Sequence, residues 1–344
     1  MNETNLMSKM KISKAVATMA IPSVISSLVT VVYNMADTFF VGQTGDPLQV
    51  AAVSLTNPIF ILFMAFANMF GMGGSATASI AMGEKNEKRM KNVSAFITYA
   101  SLITGIFFAV ILLLGAKPIL QIFGADKQTY DLAYGYLFHI SYGAPFVIWS
   151  AAASFVVRAE GASKEAMIGS MIGTIVNIIL DPIMINGLHM GAAGAAIATT
   201  IGNILASLYY AWYFIKKSKC FSIHPGYFKY KDKILTTVCS SGFPTAIFSV
   251  LMSVSTIVLN QILVVYGNAP VAAIGIVFKA NMFITFLQMG LANEVQLIPL
   301  LYLLNAVDGV IYGQALTDYI AVILSTIIWK QYQNSITKEK DSVK

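Results

Sequence analysis

Charged residues are scarce in this sequence. They make up 11% of the 344 residues, whereas hydrophobic residues make up 57%. Soluble domains usually carry about 25% charged residues, so this composition excludes a large soluble core and indicates a polytopic membrane protein. The formal net charge of +6 does not indicate nucleic-acid binding, because the basic residues lie between apolar runs, as is typical of cytoplasmic loops in membrane proteins.

Cysteines and enzyme motifs are also scarce. The two cysteines, Cys220 and Cys239, have no metal-ligand spacing, and we expect no disulfide between them on the cytoplasmic side. The sequence has no Walker A motif, no H-E-x-x-H and no G-x-S-x-G, which excludes the ATPases and intramembrane hydrolases that these motifs mark. We expect no enzyme activity and no cofactor. The glycine-rich stretch 71–75 lies inside an apolar run and is interpreted as helix packing rather than as a phosphate loop.

Long apolar runs dominate the chain. A membrane-spanning helix needs about 20 apolar residues, which predicts an all-α protein with nine spans. The predicted spans are 15–41, 50–82, 93–115, 132–157, 166–187, 192–215, 235–266, 271–293 and 309–329. Prolines inside or near the ends of these spans are expected to kink them; they are Pro22, Pro58, Pro145 and Pro244.

The distribution of Lys and Arg predicts the orientation. With a cytoplasmic N-terminus, the inner segments carry clusters of basic residues, whereas the outer loops between the first six spans carry only Lys117 and Lys127. This asymmetry follows the positive-inside rule. The N-terminal segment has no cleavage pattern, so we expect the first span to be retained. The result is a multi-pass protein of a bacterial-type plasma membrane.

A weak internal repeat links the two parts of the chain. Pro22 and Pro244 each lie early in a long span, and about 28 residues later the similar sequences 50–53 and 271–274 open the next span. Both copies begin on the cytoplasmic side, which predicts a parallel repeat of the kind found in transporters. The acid at Asp37 has no counterpart, because the equivalent position falls near Leu259 and Asn260.

Asp37 lies inside the first span with no cation within one helical turn. A carboxylate at the centre of a membrane helix costs roughly 2.5–3.5 kcal/mol on insertion scales. This cost favours a functional role with a buried partner or a cavity, and the alternative is an acid that reaches the outer headgroups.

Three more polar residues lie at a similar predicted depth. At 1.5 Å per residue, Asp37, Asp181, Asn177 and Thr199 all fall roughly 7–15 Å below the outer surface. Two carboxylates, an amide and a hydroxyl could share a proton or hold Na⁺, and no His or Cys points to another metal. Alternatives stay open: Asp181 before Pro182 could cap a broken half-helix, Thr199 could bond its own helix, and Asn177 could join helices.

Two further residues could line a pathway. Tyr136 lies deeper than the tyrosines near the outer interface, and Lys279 is the one basic residue well inside a span. Lys279 could face water, pair with an acid or extend to the surface.

At these residues the chain resembles the multidrug and toxic compound extrusion family of cation-coupled efflux pumps. The resemblance rests on Ile21-Pro22, on 33–42, on Arg158-Ala159-Glu160-Gly161, on 177–182 and on 194–199. It implies two six-span lobes around a cavity and export of organic, often cationic compounds in exchange for H⁺ or Na⁺. It also implies that Asp37, Asn177, Asp181 and Thr199 form the first-lobe cation site, with Tyr33 and Tyr136 in the cavity wall.

The second lobe departs from this pattern. The sequence after Glu294 resembles the end of the family's eleventh span, and about 100 residues, corresponding to spans 9, 10 and most of 11, are expected to be missing. The ten residues 295–304 are too few for a helix that crosses a bilayer of about 30 Å. We therefore predict a first lobe at 1–215, a cytoplasmic linker at 216–234, a truncated second lobe at 235–330 and a polar tail at 331–344.

Three functions are compatible with the sequence. The first is a monomeric multidrug antiporter that contacts the lipid bilayer and small organic substrates but no nucleic acid. The second is a lipid-linked glycan or polysaccharide exporter of related architecture, which would favour a more basic cavity. The third is a non-transporting remnant that results from the internal deletion.

Overall fold

The computed structural model describes residues 25, 29, 32, 33, 36, 37, 39–228, 233–268 and 270–274. All of them except Ile25 belong to one compact unit, Val29–Met282. Predicted span 8 beyond residue 274, the last predicted span and Lys279 lie outside the described residues. We use "outer" for the end of the bundle that contains 42–47 and 265–268, following the orientation predicted from Lys and Arg.

Six of the described helices are long and apolar enough to cross a membrane. They confirm predicted spans 2 to 7, and the described residues of span 1 are helical as well. One short helix between spans 3 and 4 was not predicted. We number the helices α1 Pro47–Gly83, α2 Glu87–Leu114, α3 Ala116–Ile122 (the short one), α4 Tyr130–Ala159, α5 Ser163–Asp181, α6 Gly191–Lys216 and α7 Ile234–Val264.

Local signals explain where several helices begin. Asp46 precedes Pro47 and its side chain accepts a hydrogen bond from Leu48 N at 2.9 Å, which is a standard N-cap with proline at the first helical position. Asn86 caps α2 in the same way through Arg89 N. Pro58, Pro145 and Pro244 all lie inside helices, as the sequence predicted.

The α5 helix does not break at Pro182. The chain continues from Asp181 into a π-helical turn, Pro182–Gly187, because the wider turn accommodates a residue that lacks an N–H donor. Asp181 is therefore not the cap of a separate half-helix, and that alternative is wrong for this chain.

The centre of the unit is α4. It packs against α1, α2 and α6, and its most apolar stretch is more deeply buried than that of any other described helix. Fully buried side chains such as Phe63, Ile97, Ile148 and Tyr210 fill the space between these helices.

The glycine-rich stretch of α1 contacts three different helices. A Cβ on Gly71 would overlap Phe155 of α4, one on Gly73 would overlap the Val238 carbonyl of α7, and one on Gly74 would overlap Ile97 of α2. Gly242 of α7 faces the Met69 carbonyl in the same way. The predicted packing role of 71–75 is confirmed, since small residues let these backbones approach closely.

The two similar sequences of the predicted repeat lie against each other. Ala51 and Leu55 of α1 form one buried cluster with Val271 and Ala272. The contact places the outer ends of α1 and of the segment after α7 side by side.

Candidate functional site

Three of the four predicted cation-site residues form one buried hydrogen-bonded group. Asn177 and Asp181 lie one turn apart on α5, and Thr199 faces them from α6. Their exposed fractions are 3%, 0% and 5%. Burying polar groups to this degree is costly unless they are hydrogen-bonded, so these residues form a built polar site rather than a chance cluster.

The amide of Asn177 connects the other two side chains. In one orientation its Nδ2 donates to Thr199 Oγ1 at 3.1 Å. In the rotated orientation Nδ2 donates to Asp181 Oδ2 at 3.0 Å, and Oδ1 accepts from Thr199 N at 2.9 Å and from Thr199 Oγ1 at 3.1 Å. We adopt the rotated orientation, because it gives both ends of the amide a partner of the right type.

Span 1 adds a tyrosine and the second carboxylate. The hydroxyl groups of Tyr33 and Thr199 lie 3.5 Å apart. The phenol groups of Tyr33 and Tyr136 both interact electrostatically with Asp37 and with Asp181. The structure therefore places all six predicted residues of the described chain, Tyr33, Asp37, Tyr136, Asn177, Asp181 and Thr199, around one region. Their roles stay predictions.

Close packing of α5 on α6 makes this geometry possible. A Cβ on Gly202 would lie 2.5 Å from the carbonyl oxygen of Gly173 and 3.4 Å from the Asn177 side chain. Gly194 meets the backbone of Met184 in the π-helical turn in a similar way. Without these glycines the helices would separate, and Thr199 would no longer reach Asn177.

Two glutamines that sequence reasoning missed, one directly after span 1 and one at the start of α1, bind the π-helical turn and the start of α6. Gln49 Oε1 accepts a hydrogen bond from Ala192 N at 2.8 Å, and Asn186 Nδ2 donates to Gln43 Oε1 at 3.3 Å. Gln49 thereby supplies a partner for an N–H at the start of α6 that has no helical acceptor. The Gln43 contact joins the end of span 1, which carries Asp37, to the π-helical turn after Asp181, whereas the Gln49 contact joins α1 to the start of α6, which carries Thr199.

An extension of the polar group was also missed. Asn203 Nδ2 donates to Thr199 O at 2.8 Å, and its Oδ1 accepts from Ser150 Oγ of α4 at 3.0 Å. Asn203 lies four residues after Thr199 and therefore on the same face of α6. That spacing from a predicted site residue was the signal available in the sequence.

A small apolar cluster closes the outer side of the group. It contains Val41, Val53, Ile185, Ala192 and Ala195, with Phe40 and Tyr136 packed against it. The result is a set of oxygen atoms in surroundings of low polarity, where binding H⁺ or a hard cation to a carboxylate changes the local energy strongly. No group of three or more His, Cys, Asp or Glu residues that could hold a metal occurs among the described residues.

The chain is similar to known proteins in sequence and in fold. Residues 22–183 match the family model described as MatE. The chain is 33% identical to the multidrug export protein MepA of Staphylococcus saprophyticus over 320 residues, which are 93% of this chain and 70% of that protein. It is 34% identical to MepA of Staphylococcus aureus strain NCTC 8325, and this match covers 85% of the chain and 64% of the relative's length.

Solved structures that resemble this chain also include transporters of the MATE family. One is described as the outward-facing conformation of a multidrug resistance MATE family transporter of the MOP superfamily. Its TM-score is 0.73 and its sequence identity is 25%, and the match covers 94% of this chain and 71% of the transporter chain. The inward-facing conformation of such a transporter has a TM-score of 0.70 and 27% identity, and the match covers 82% of this chain and 64% of that one. The chain thus spans about two thirds of the length of the proteins it matches.

Proposed function

Because the chain belongs to the MATE family of membrane transporters, we propose that it exports small organic compounds in exchange for H⁺ or Na⁺. Relatives are named multidrug export proteins, which supports a xenobiotic efflux role. The chain is a multi-pass membrane protein. We further propose that it acts as a monomer in a bacterial plasma membrane with its N-terminus in the cytoplasm, and that it catalyses no reaction.

The observation that carries the proposal is the buried group of Asn177, Asp181 and Thr199 beside Asp37. Two carboxylates that share a region of low dielectric favour uptake of one positive charge, either a proton or Na⁺. The Asn177 amide and the Thr199 hydroxyl can hydrogen-bond to each other whether or not a cation is bound. The coupling ion is therefore proposed to bind between span 1 and helices α5 and α6.

Coupling follows from the position of span 1. Asp37 and Tyr33 belong to span 1, whereas Asp181 and Thr199 belong to α5 and α6, so a bound cation changes how strongly span 1 is held against the other two helices. A ligand shifts a conformational equilibrium only as far as it binds one state better. Cation binding at this boundary meets that condition. Tyr33, Tyr136 and Lys279 are proposed to line the path of the organic substrate.

The experiment measures efflux of a fluorescent cationic dye from cells that lack their own pumps and express this chain. The variants are Asp37→Asn and, as a matched control outside the site, Thr200→Val, whose hydroxyl donates to the His139 carbonyl. We expect the chain and Thr200→Val to export dye, and we expect Asp37→Asn to fail to export it at equal levels of protein in the membrane.

Equal efflux by Asp37→Asn would contradict the coupling role. If no variant exports dye, the chain has the ancestry but not the activity of its longer relatives; if only lipid-linked glycans move, the second transport function holds.

A further inference from the structure

The outer end of α7 and the four residues after it carry three amide side chains that the cation site does not use. They are Asn260, Gln261 and Asn268, and each donates to an acceptor on an earlier part of the chain. Together they attach α7 to α1 and to the segment 121–129 between α3 and α4. Asn260 is only 1% exposed, and a buried amide is costly unless it is hydrogen-bonded.

Asn268 binds Asp126. Its Nδ2 lies 3.0 Å from Asp126 Oδ2 and 3.4 Å from Gln128 Oε1. The other carboxylate oxygen, Oδ1, accepts from Gln128 N, Thr129 N and Thr129 Oγ1, each at 2.9 Å. Burial would raise the pKa of Asp126, but the hydrogen bonds from Thr129, Asn268 and Gln128 outweigh it and lower the pKa below its usual value of 3.8. Asp126 is therefore an ionised acceptor at neutral pH.

Gln261 binds the end of α3. Its Nε2 donates to Gln121 O at 3.1 Å and also to Ile122 O. These are carbonyls of the last turn of a seven-residue helix, where intrahelical donors run out. Gln261 of α7 thus adds a side-chain donor at the C-terminal end of α3, where the Gln121 carbonyl also accepts from Gly124 N at 3.1 Å.

Asn260 and Gly124 bring the backbones together. Asn260 Nδ2 lies 3.5 Å from Ser54 O of α1. Gly124 has a φ of +96°, and a Cβ there would lie 3.0 Å from Val264, 3.5 Å from Leu55 and 3.7 Å from the Asn260 carbonyl. The positive φ and the short approach both favour glycine, and they place the α3–α4 segment directly on α1 and α7.

We propose that Asn260, Gln261 and Asn268 form an outer latch, which holds α7 against α1 and the α3–α4 segment while the site is closed to the outside. This inference rests on the proposed transport function, because only a transporter must release the latch in each cycle. Neutral amides suit the task. They cost less to desolvate than charges, and the acceptors near the surface can bind water once the latch opens.

The test measures opening rather than transport. In a Cys220→Ser, Cys239→Ser background, Ser54→Cys places a thiol of almost unchanged size at a position that is 9% exposed and lies next to Asn260. The rate of labelling by a membrane-impermeant maleimide, added from outside to intact cells, reports how often α7 leaves α1.

Three latch variants are compared with this reference. Asn268→Asp sets a second carboxylate against Asp126, and we expect labelling about five- to tenfold faster, as like charges a few ångströms apart near water would produce. Asn268→Ala removes the donor without repulsion and should give a smaller increase. The swap Asp126→Asn with Asn268→Asp restores an amide–carboxylate pair, and the amide oxygen introduced at position 126 can still accept from Thr129. It should return the rate close to the reference.

The double variant Asp126→Asn with Asn268→Asp distinguishes loss of the latch from general instability, because it keeps both changes but restores the amide–carboxylate pair. Equal labelling of Asn268→Asp and the reference would overturn the latch, and so would a swap that labels as fast as Asn268→Asp. Failure of the transport proposal is separate, because it appears as absent dye efflux with a normal labelling pattern.

Discussion

Asn260 of α7 donates towards the carbonyl oxygen of Ser54, which lies four residues before Pro58 in α1. Proline has no N–H, so Pro58 cannot supply the helical hydrogen bond that this carbonyl would otherwise accept. Asn260 is 1% exposed and replaces the missing donor from a neighbouring helix. A second α7 side chain, Ser253, donates to the Pro58 carbonyl itself at 2.9 Å.

This relationship predicts a non-additive double-mutant cycle. Asn260→Leu leaves the Ser54 carbonyl without its side-chain donor and should destabilise the purified protein by about 1–3 kcal/mol, the cost of an unsatisfied buried polar group. In a Pro58→Ala background the restored N–H serves Ser54, so Asn260→Leu should cost much less. Thermal unfolding in detergent measures both differences. Ser253→Ala is the control with a small effect, and an equal cost of Asn260→Leu in both backgrounds would show that Asn260 acts elsewhere.

Thr199→Val should weaken cation-driven transport. The substitution keeps the shape of the side chain but removes the hydroxyl that Asn177 and Tyr33 approach. A lost buried hydrogen bond of about 1–1.5 kcal/mol corresponds to roughly a tenfold higher cation concentration for half-maximal efflux. Thr200→Val, one residue away, is the matched control. A cation dependence that is the same in both variants would remove Thr199 from the cation site.

Gly73→Ala and Gly242→Ala should each lower the yield of folded protein. A Cβ at either position would overlap a backbone carbonyl of the facing helix, and overpacking of this kind costs about 1–3 kcal/mol. Gly83→Ala is the control, because no atom lies within 4 Å of a Cβ at Gly83 and alanine is the better helix former. Fluorescence-detected size exclusion after heating ranks the three variants. Equal stability of all three would contradict close α1–α7 packing.

Glu160 should hold the segment after α6 in place. Its carboxylate accepts from Tyr213 OH at 2.7 Å, Ser218 Oγ at 2.8 Å, Lys219 N at 3.1 Å and Cys220 N at 3.2 Å. Glu160→Ala is therefore expected to increase hydrogen–deuterium exchange of 217–221 severalfold. Glu84→Ala, which removes only an exposed pair with Arg89, should leave this segment unchanged. Unaltered exchange in Glu160→Ala would assign the order of the segment to its packing on α2.

Cys220 should alkylate slowly at neutral pH. Burial, followed by the nearby carboxylates of Glu160 and Glu87, raises the pKa of its thiol above the usual value of 9.0. Since the thiolate is the reactive form, less of it is present at any pH below that pKa. The midpoint of the pH–rate profile in a Cys239→Ser variant should therefore lie higher in folded than in denatured protein. A midpoint that is the same in both would contradict this environment.

The sequence predicted the long helices well, because each needs only an apolar run of sufficient length. The glycines in α1 were also interpreted correctly at the level of packing. The site residues could be grouped because Asn177, Asp181 and Thr199 lie at one predicted depth. The short helix Ala116–Ile122 was missed since seven residues between two spans carry too little periodicity.

Contacts between distant residues could not be predicted in the same way. The π-helical continuation after Asp181 depends on how α5 meets α6, and Pro182 alone allows either a break or a wider turn. Asn260, Gln261 and Asn268 are each polar residues near the end of an apolar run, a pattern that is compatible with solvent exposure. Their partners in α1, in α3 and in the segment between α3 and α4 lie about 140 to 206 residues away in the sequence, and no local pattern connects them.

The glycine contact between α1 and α7 favours one relative motion of the two helices, a tilt about the contact. Main-chain atoms touch at Gly73 and Gly242, so sliding is obstructed there, and tilting is the easier relative motion. Asn260 lies 18 residues beyond Gly242 on the same helix, about 27 Å at 1.5 Å per residue. A tilt of about 10° at the crossing would then displace the Asn260 end by about 5 Å. A small rotation at the Gly73–Gly242 contact is in this way converted into a displacement at the outer end that exceeds the 3.5 Å distance from Asn260 Nδ2 to Ser54 O.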